Sequence, residues 1–159
     1  MASFRRTDKA PSHSLQDYKN PSFVQQYILG VARDFLLKDL SATVESDAQE
    51  FIRKFKPIDV SVVIDNLITN AKKAKATTIN FNISHPNKDS VHIIVTDNGN
   101  GFDKGINDLS EVFGKGFTRT EGSGLGLHHV KHVLGEMNGT IEAKRIEPKG
   151  AMFIIIISK

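Results

Sequence analysis

The sequence predicts an α/β fold of the α+β kind, a two-layer sandwich. Its mixed, mostly antiparallel sheet carries the helices on one face. Three observations point there. Helical and strand patterns are interleaved without regular βαβ alternation. A glycine-rich, irregular stretch over residues 97–122 separates the later elements. The chain has 159 residues, 39% hydrophobic and 25% charged, the size and balance of one domain with one core.

The elements follow in order. Asn20-Pro21 reads as an N-cap with proline at the first helical position. Phe23, Val24, Tyr27, Ile28, Val31, Phe35 and Leu36 then recur at helical spacing. Residues 40–45 alternate loosely, as a strand does. Residues 48–55 read as a short helix closed by Pro57. Asp59 reads as the cap of a second long helix, with Val60, Val63, Ile64, Leu67, Ile68 and Ala71 as its apolar face. Residues 77–83 and 90–96 are β-rich, with Ser84-His85-Pro86-Asn87 as the turn between them. Residues 124–137 read as a third helix that begins in a glycine loop. Residues 139–146 and 151–158 are the last strands, divided by Pro148-Lys149-Gly150. The densest apolar run, residues 154–157, reads as a buried strand. Residues 1–14 are expected as a flexible tail and residues 15–159 as one domain.

Composition excludes several classes of function. There is no cysteine, hence no disulfide, thiolate metal site or cysteine nucleophile, which suits a reducing cytoplasm. A formal charge of +3 is too small to imply a nucleic-acid partner. No apolar run approaches the roughly 20 residues that span a bilayer, so no membrane contact is expected. His128 and His132 lie four apart on the third helix, with Glu136 as the only further candidate ligand. They read as ordinary surface or hinge histidines. Lys72, Lys73 and Lys75 read as a solvated helix end.

Three polar clusters sit at the ends of core elements. Asn66, Asn70 and Lys73 share one face of the second long helix. An asparagine amide oxygen is a hard ligand that suits Mg²⁺, and a lysine reaches phosphate as a point charge. Taken alone, the plainer reading is a solvated face. Asp97-Asn98-Gly99-Asn100-Gly101 follows a buried strand, where a carboxylate needs a donor such as the exocyclic amine of adenine. An ordinary Asn-Gly turn reads equally well. Gly122-Ser123-Gly124-Leu125-Gly126-Leu127 opens a helix, where free amides and the helix dipole form an anion site. It is neither a dinucleotide fingerprint nor a P-loop.

Taken together, the order and spacing of these clusters resemble the ATP-binding catalytic domain of sensor histidine kinases. That domain belongs to the Bergerat-fold superfamily shared with gyrase, heat-shock chaperone and MutL ATPases. Residues 65–71 resemble its N-box and residues 97–101 its first glycine box. Phe113-Gly114-Lys115-Gly116-Phe117-Thr118 resembles the F-box, and residues 122–127 the second glycine box.

The resemblance implies a set of roles. Asn70 would hold Mg²⁺, and Asn66 and Lys73 would stand at the reacting phosphate. Asp97 would bind the adenine amine, with Gly99 and Gly101 letting the ring approach. Lys73 and Lys115 would neutralise phosphate charge. The amides of Gly124, Leu125, Gly126 and Leu127 would cradle the phosphates. Residues 103–122 would form a mobile ATP lid that includes Phe113, Gly116 and Thr118. Taken singly, Phe113 and Phe117 read equally well as anchors of that lid in the core or as simple loop burial.

Hydrolytic relatives resemble one another in carrying a glutamate four residues before the metal asparagine, and Asn66 stands there instead. The resemblance therefore favours phosphoryl transfer to histidine in two-component signalling. The alternatives are a dimerisation-driving ATPase and a non-catalytic nucleotide-binding module. The sequence has no His-Glu-x-x-x-Pro-like acceptor box, and His13 lacks such a flank. The implied partners are ATP, a separate histidine phosphoacceptor/dimerisation domain and a downstream response regulator.

Overall fold

The computed structural model describes residues 16–20, 26–28, 30, 38–47, 51–114 and 126–159. The expected tail, most of the first helical span and the Lys115, Gly116, Thr118, Gly124 and Leu125 positions lie outside the described residues.

Strands β1 (Gln16–Asn20) and β3 (Phe51–Phe55) form an antiparallel two-stranded ladder. A five-stranded sheet contains β2 (Ser41–Ser46), β4 (Thr78–Asn87), β5 (Ser90–Asp97), β6 (Gly139–Arg145) and β7 (Ala151–Ser158). Its order is β2-β4-β5-β7-β6, with β2 parallel to β4 and the other neighbours antiparallel. The expected mixed, mostly antiparallel sheet is what forms.

Helices α1 (Pro57–Lys73) and α2 (Gly126–Glu136) cover one face. Val63, Ile64, Leu67, Ile68 and Ala71 of α1 and Val130, Val133 and Leu134 of α2 close on Ile79, Phe81, Ile83, Val91, Val95, Phe153 and Ile155. Burying such side chains contributes about 1.5–3 kcal/mol each. Tyr27 and Ile28, the helical remnant of the first predicted helix, join the same core.

Several local expectations are corrected. Residues 51–55 form a strand, because the partner that stabilises it lies some 35 residues earlier at residues 16–20. Asn20 ends β1. The cap of α1 is Lys56, whose backbone is extended, and Pro57 opens the helix while Asp59 sits inside its first turn. Proline suits that place because its missing N–H has no partner there anyway. Strand β4 runs on through Asn87, pinned by Asp47: its Oδ2 accepts from the His85 amide at 2.6 Å and its Oδ1 meets His85 Nδ1 at 2.8 Å. The turn falls at Lys88-Asp89. The isoleucine run of β7 is only half core: Ile155 and Ile157 are buried, while Ile154 and Ile156 alternate onto the open face.

Candidate functional site

Asn66 and Asn70 lie one turn apart on α1, partly buried, and Lys73 closes the helix in solvent. Asn66 Nδ2 donates back to the Val62 carbonyl at 2.8 Å. Its oxygen is thereby turned toward the start of α2, where a Cβ on Gly126 would stand 3.1 Å from Asn66 Oδ1. Glycine at 126 thus lets the α2 N-terminus approach the asparagine face of α1. That N-terminus has no acidic residue in its first turn, which leaves the positive end of its dipole uncompensated from within the helix. Leu127 is buried beneath it.

Asn70 supplies a test for a metal. Its Nδ2 is buried with no hydrogen-bond partner. Leaving a polar group in that condition costs about 1–3 kcal/mol. A half-turn of the amide puts the oxygen there instead. Among the described residues no three histidine, aspartate or glutamate side chains gather as a metal cage. A single amide oxygen, with phosphates and water completing the shell, is a donor set that fits Mg²⁺.

The turn after β5 is fixed on three sides. Asp97 is buried, and its Oδ1 accepts from the Gly99 amide at 2.9 Å. Asn98 Oδ1 accepts from the amides of Thr77 and Thr78 at 2.8 and 3.0 Å, and its Nδ2 donates to Thr77 Oγ1. Asn100 N–H donates to the Ala74 carbonyl at 2.7 Å. A Cβ on Gly99 would fall 2.7 Å from that carbonyl oxygen and 2.9 Å from the Ala74 Cβ. The small Ala74 is therefore what seats the turn on the end of α1. Gly101 has φ +76, and a Cβ there would meet the Gly150 carbonyl at 2.9 Å. The glycines of this turn are already needed for packing within the chain.

The span read as irregular contains a 3₁₀ helix, Leu109–Phe113. Asp108 caps it, its Oδ1 accepting from the Ser110 amide and hydroxyl at 3.0 and 2.7 Å. These donors, the hydroxyl first, hold the exposed Asp108 carboxyl below its usual range. Phe102 and Phe113 are buried and both stand edge-on to Phe153, with centroids 5.8 and 6.3 Å away. Phe113 thus packs this segment against the core, and Phe117 lies outside the described residues.

His128 Nδ1 meets the Phe113 carbonyl at 3.2 Å and Lys131 Nζ lies 6.0 Å from the Phe113 ring centroid. His132 pairs with Glu136 at 3.2 Å. His128 and His132 thus each have a side-chain partner within the described residues. Arg145, which the sequence reading missed, donates to the carbonyls of Phe102, Asp103 and Ile106. Nothing local marks it, because an arginine closing a strand reads as solvated surface.

Asn66 and Asn70 of α1, the α2 N-terminus and the Asp97 turn beside Ala74 therefore gather around the C-terminal half of α1. The family model of the histidine kinase-, DNA gyrase B- and HSP90-like ATPases matches residues 55–159, and the chain belongs to that family. Sensor histidine kinase ZraS of Salmonella typhimurium is 34% identical over 113 residues, 68% of this chain and 24% of the relative. Sensor histidine kinase GlnK of Bacillus subtilis is 27% identical over 157 residues, 91% of this chain and 37% of the relative. The catalytic domain of histidine kinase ThkA superposes with a TM-score of 0.75 at 21% identity, over 92% of this chain and 96% of that one, a likeness of fold. The chain thus spans 24% and 37% of the length of these two relatives. Residues 55–159 are thus an ATP-binding domain of that family, of the kind that these sensor histidine kinases carry.

Proposed function

We propose that this domain transfers the γ-phosphoryl group of Mg-ATP to a histidine on a separate phosphoacceptor domain, with a response regulator downstream and cytoplasmic ATP as donor. The observation that carries this reading is Asn66. Its amide nitrogen is committed to the Val62 carbonyl, and its oxygen faces the α2 N-terminus. An amide in that place has no proton-accepting carboxylate to activate water. A neutral imidazole needs no such base, since one ring nitrogen already carries a free lone pair. The site therefore suits a nitrogen nucleophile better than hydrolysis.

In this reading Asn70 orients the metal end of the triphosphate. Asp97 receives the adenine amine beside the Gly99 amide it already accepts from. The α2 N-terminal amides and Lys73, with Lys115 on the lid, balance phosphate charge. Bound Mg²⁺ would neutralise phosphate oxygens and favour one triphosphate geometry. Catalysis is then positioning and electrostatics rather than covalent chemistry.

The test is incubation with γ-labelled ATP, Mg²⁺ and a supplied histidine-bearing dimerisation domain, scored as acid-labile phosphate on the acceptor. Asn70→Ala is expected to lower transfer about 100-fold while the domain stays folded. Undiminished transfer would remove Asn70 from the metal site. Steady phosphate release without any acceptor would favour the ATPase reading instead.

A further inference from the structure

We infer that Arg145 is a positioning residue for nucleotide recognition, acting by holding the backbone of residues 102–106 beside the adenine turn. The inference rests on the assignment of the Asp97–Gly101 turn to adenine. Strand register sets the geometry. Asp97 of β5 pairs with Ala151 of β7, and Ala151 pairs with Arg145 of β6. The arginine thus stands level with the candidate adenine carboxylate, two strands across the sheet.

From there Nη1 donates to the Phe102 carbonyl at 2.8 Å, and Nη2 donates to those of Asp103 and Ile106 at 2.8 and 2.7 Å. Phe102 directly follows Gly101. Its ring is fixed edge-on to Phe153 and its carbonyl is fixed by Arg145, so both ends of that residue are set from one side. Asp103 adds an internal turn, its side chain accepting from Gly105 N–H and its carbonyl from Ile106 N–H.

The chemistry is specific to guanidinium. Its planar fork presents parallel donors to several acceptors at fixed spacing, and charge-assisted bonds of this kind are the strong ones. A lysine ammonium at the same position is a single point on a flexible stem. It cannot span three carbonyls belonging to residues 102, 103 and 106. An arginine whose charge goes into backbone carbonyls on a half-exposed loop shapes that loop. The loop shaped here runs from the adenine turn to the 3₁₀ helix at the base of the lid.

The 159-residue chain suffices for the experiment. Affinities for ATP and for adenosine are measured for the parent, Arg145→Ala, Arg145→Lys and the open-face control Lys144→Ala, together with ATP against GTP for the parent and the thermal midpoint of each. Arg145→Ala and Arg145→Lys are expected to lose about tenfold in affinity. The loss should be equal for ATP and adenosine, because the effect is on the base and not the phosphates. Millimolar methylguanidinium should restore most of it to Arg145→Ala. A merely structural arginine would lower the midpoint without a rescue of affinity, and that result overturns the inference. So does full affinity in both variants while the parent prefers ATP over GTP. A parent that binds ATP and GTP equally fails at the earlier step, the adenine assignment, and takes this inference with it.

Discussion

The Tyr27 hydroxyl donates to Asp65 Oδ1 at 2.6 Å, joining the helical residues before β2 to the middle of α1, next to Asn66. Burial pushes the Asp65 carboxyl above its usual range and the tyrosine hydrogen bond pulls it part of the way back. Burial, with the neighbouring carboxylate, raises the phenol as well. For Asp65 the folded value lies above the unfolded one. Its contribution is therefore favourable below the unfolded carboxylate range and is lost as pH rises through the raised folded value. At neutral pH the ionised carboxylate is a liability that Tyr27 moderates.

Asp65→Asn keeps the acceptor and removes the charge, so it should equal or exceed the parent in stability at pH 7. That advantage should shrink as pH falls into the carboxylate range. Tyr27→Phe strips the donor and should cost about 1–3 kcal/mol at pH 7, less near pH 4. Urea unfolding across that interval measures both, and a gap between Asp65→Asn and parent that widens on acidification contradicts the account. Neither partner could be paired from sequence. Tyr27 reads as one member of an apolar stripe and Asp65 as a bystander to the asparagines. Their contact is made only when two helical segments pack.

Among the elements, the β6–β7 hairpin supports the candidate site from below. Gly150 has φ +128, and a Cβ there would fall 2.5 Å from the Asp97 carbonyl oxygen. The Ile146 N–H donates to the Gly150 carbonyl, which in turn crowds Gly101. Gly150→Ala should therefore destabilise by about 1–3 kcal/mol from the backbone conformation alone. Because the displaced neighbour is Asp97, ATP affinity should fall with stability, read by denaturant unfolding and nucleotide titration on the same sample. Unaltered affinity in a folded Gly150→Ala would separate the hairpin from the site.

The glycine runs and the asparagine face stand out in the sequence because each is a local run of unusual residues at fixed spacing; of residues 122–127 only Gly126 and Leu127 are among the described residues. Pro148-Lys149-Gly150 is legible as a turn but not as a floor. Its role depends on β7 pairing with β5, a neighbour set by the sheet rather than by the chain. The same limit explains residues 51–55, whose strand exists through pairing with residues 16–20.

Across the whole molecule, α1 divides its faces between two tasks. The C-terminal half of α1 and the start of α2 face the candidate site through Asn66, Asn70 and Gly126. An apolar stripe of α1 from Val63 to Ala71 faces the core, where Val63, Ile64 and Leu67, with Leu134 of α2 and the Met137 that follows it, line a cavity of about 30 Å³ against Phe81, Val95 and Ile155. The two-layer arrangement follows from the 3.6-residue stripes and the alternating strands, so the class of fold was readable. The imperfect fit between the layers was not, since it depends on side-chain shape in three dimensions.

The cavity has an apolar lining and so offers water no partner. Val63→Ile adds one methylene into that space while keeping the branched side chain α1 already accommodates. The expected gain is about 0.8 kcal/mol, which for a chain of this size is about 2–3 °C in thermal midpoint. Since Val63 belongs to the core stripe and not to the Asn66–Asn70 face, ATP affinity should stay as in the parent. Differential scanning calorimetry with and without nucleotide reads both quantities. A lowered midpoint would show that the layers are already in contact at Val63. A raised midpoint with altered ATP affinity would show that the two faces of α1 are coupled rather than divided.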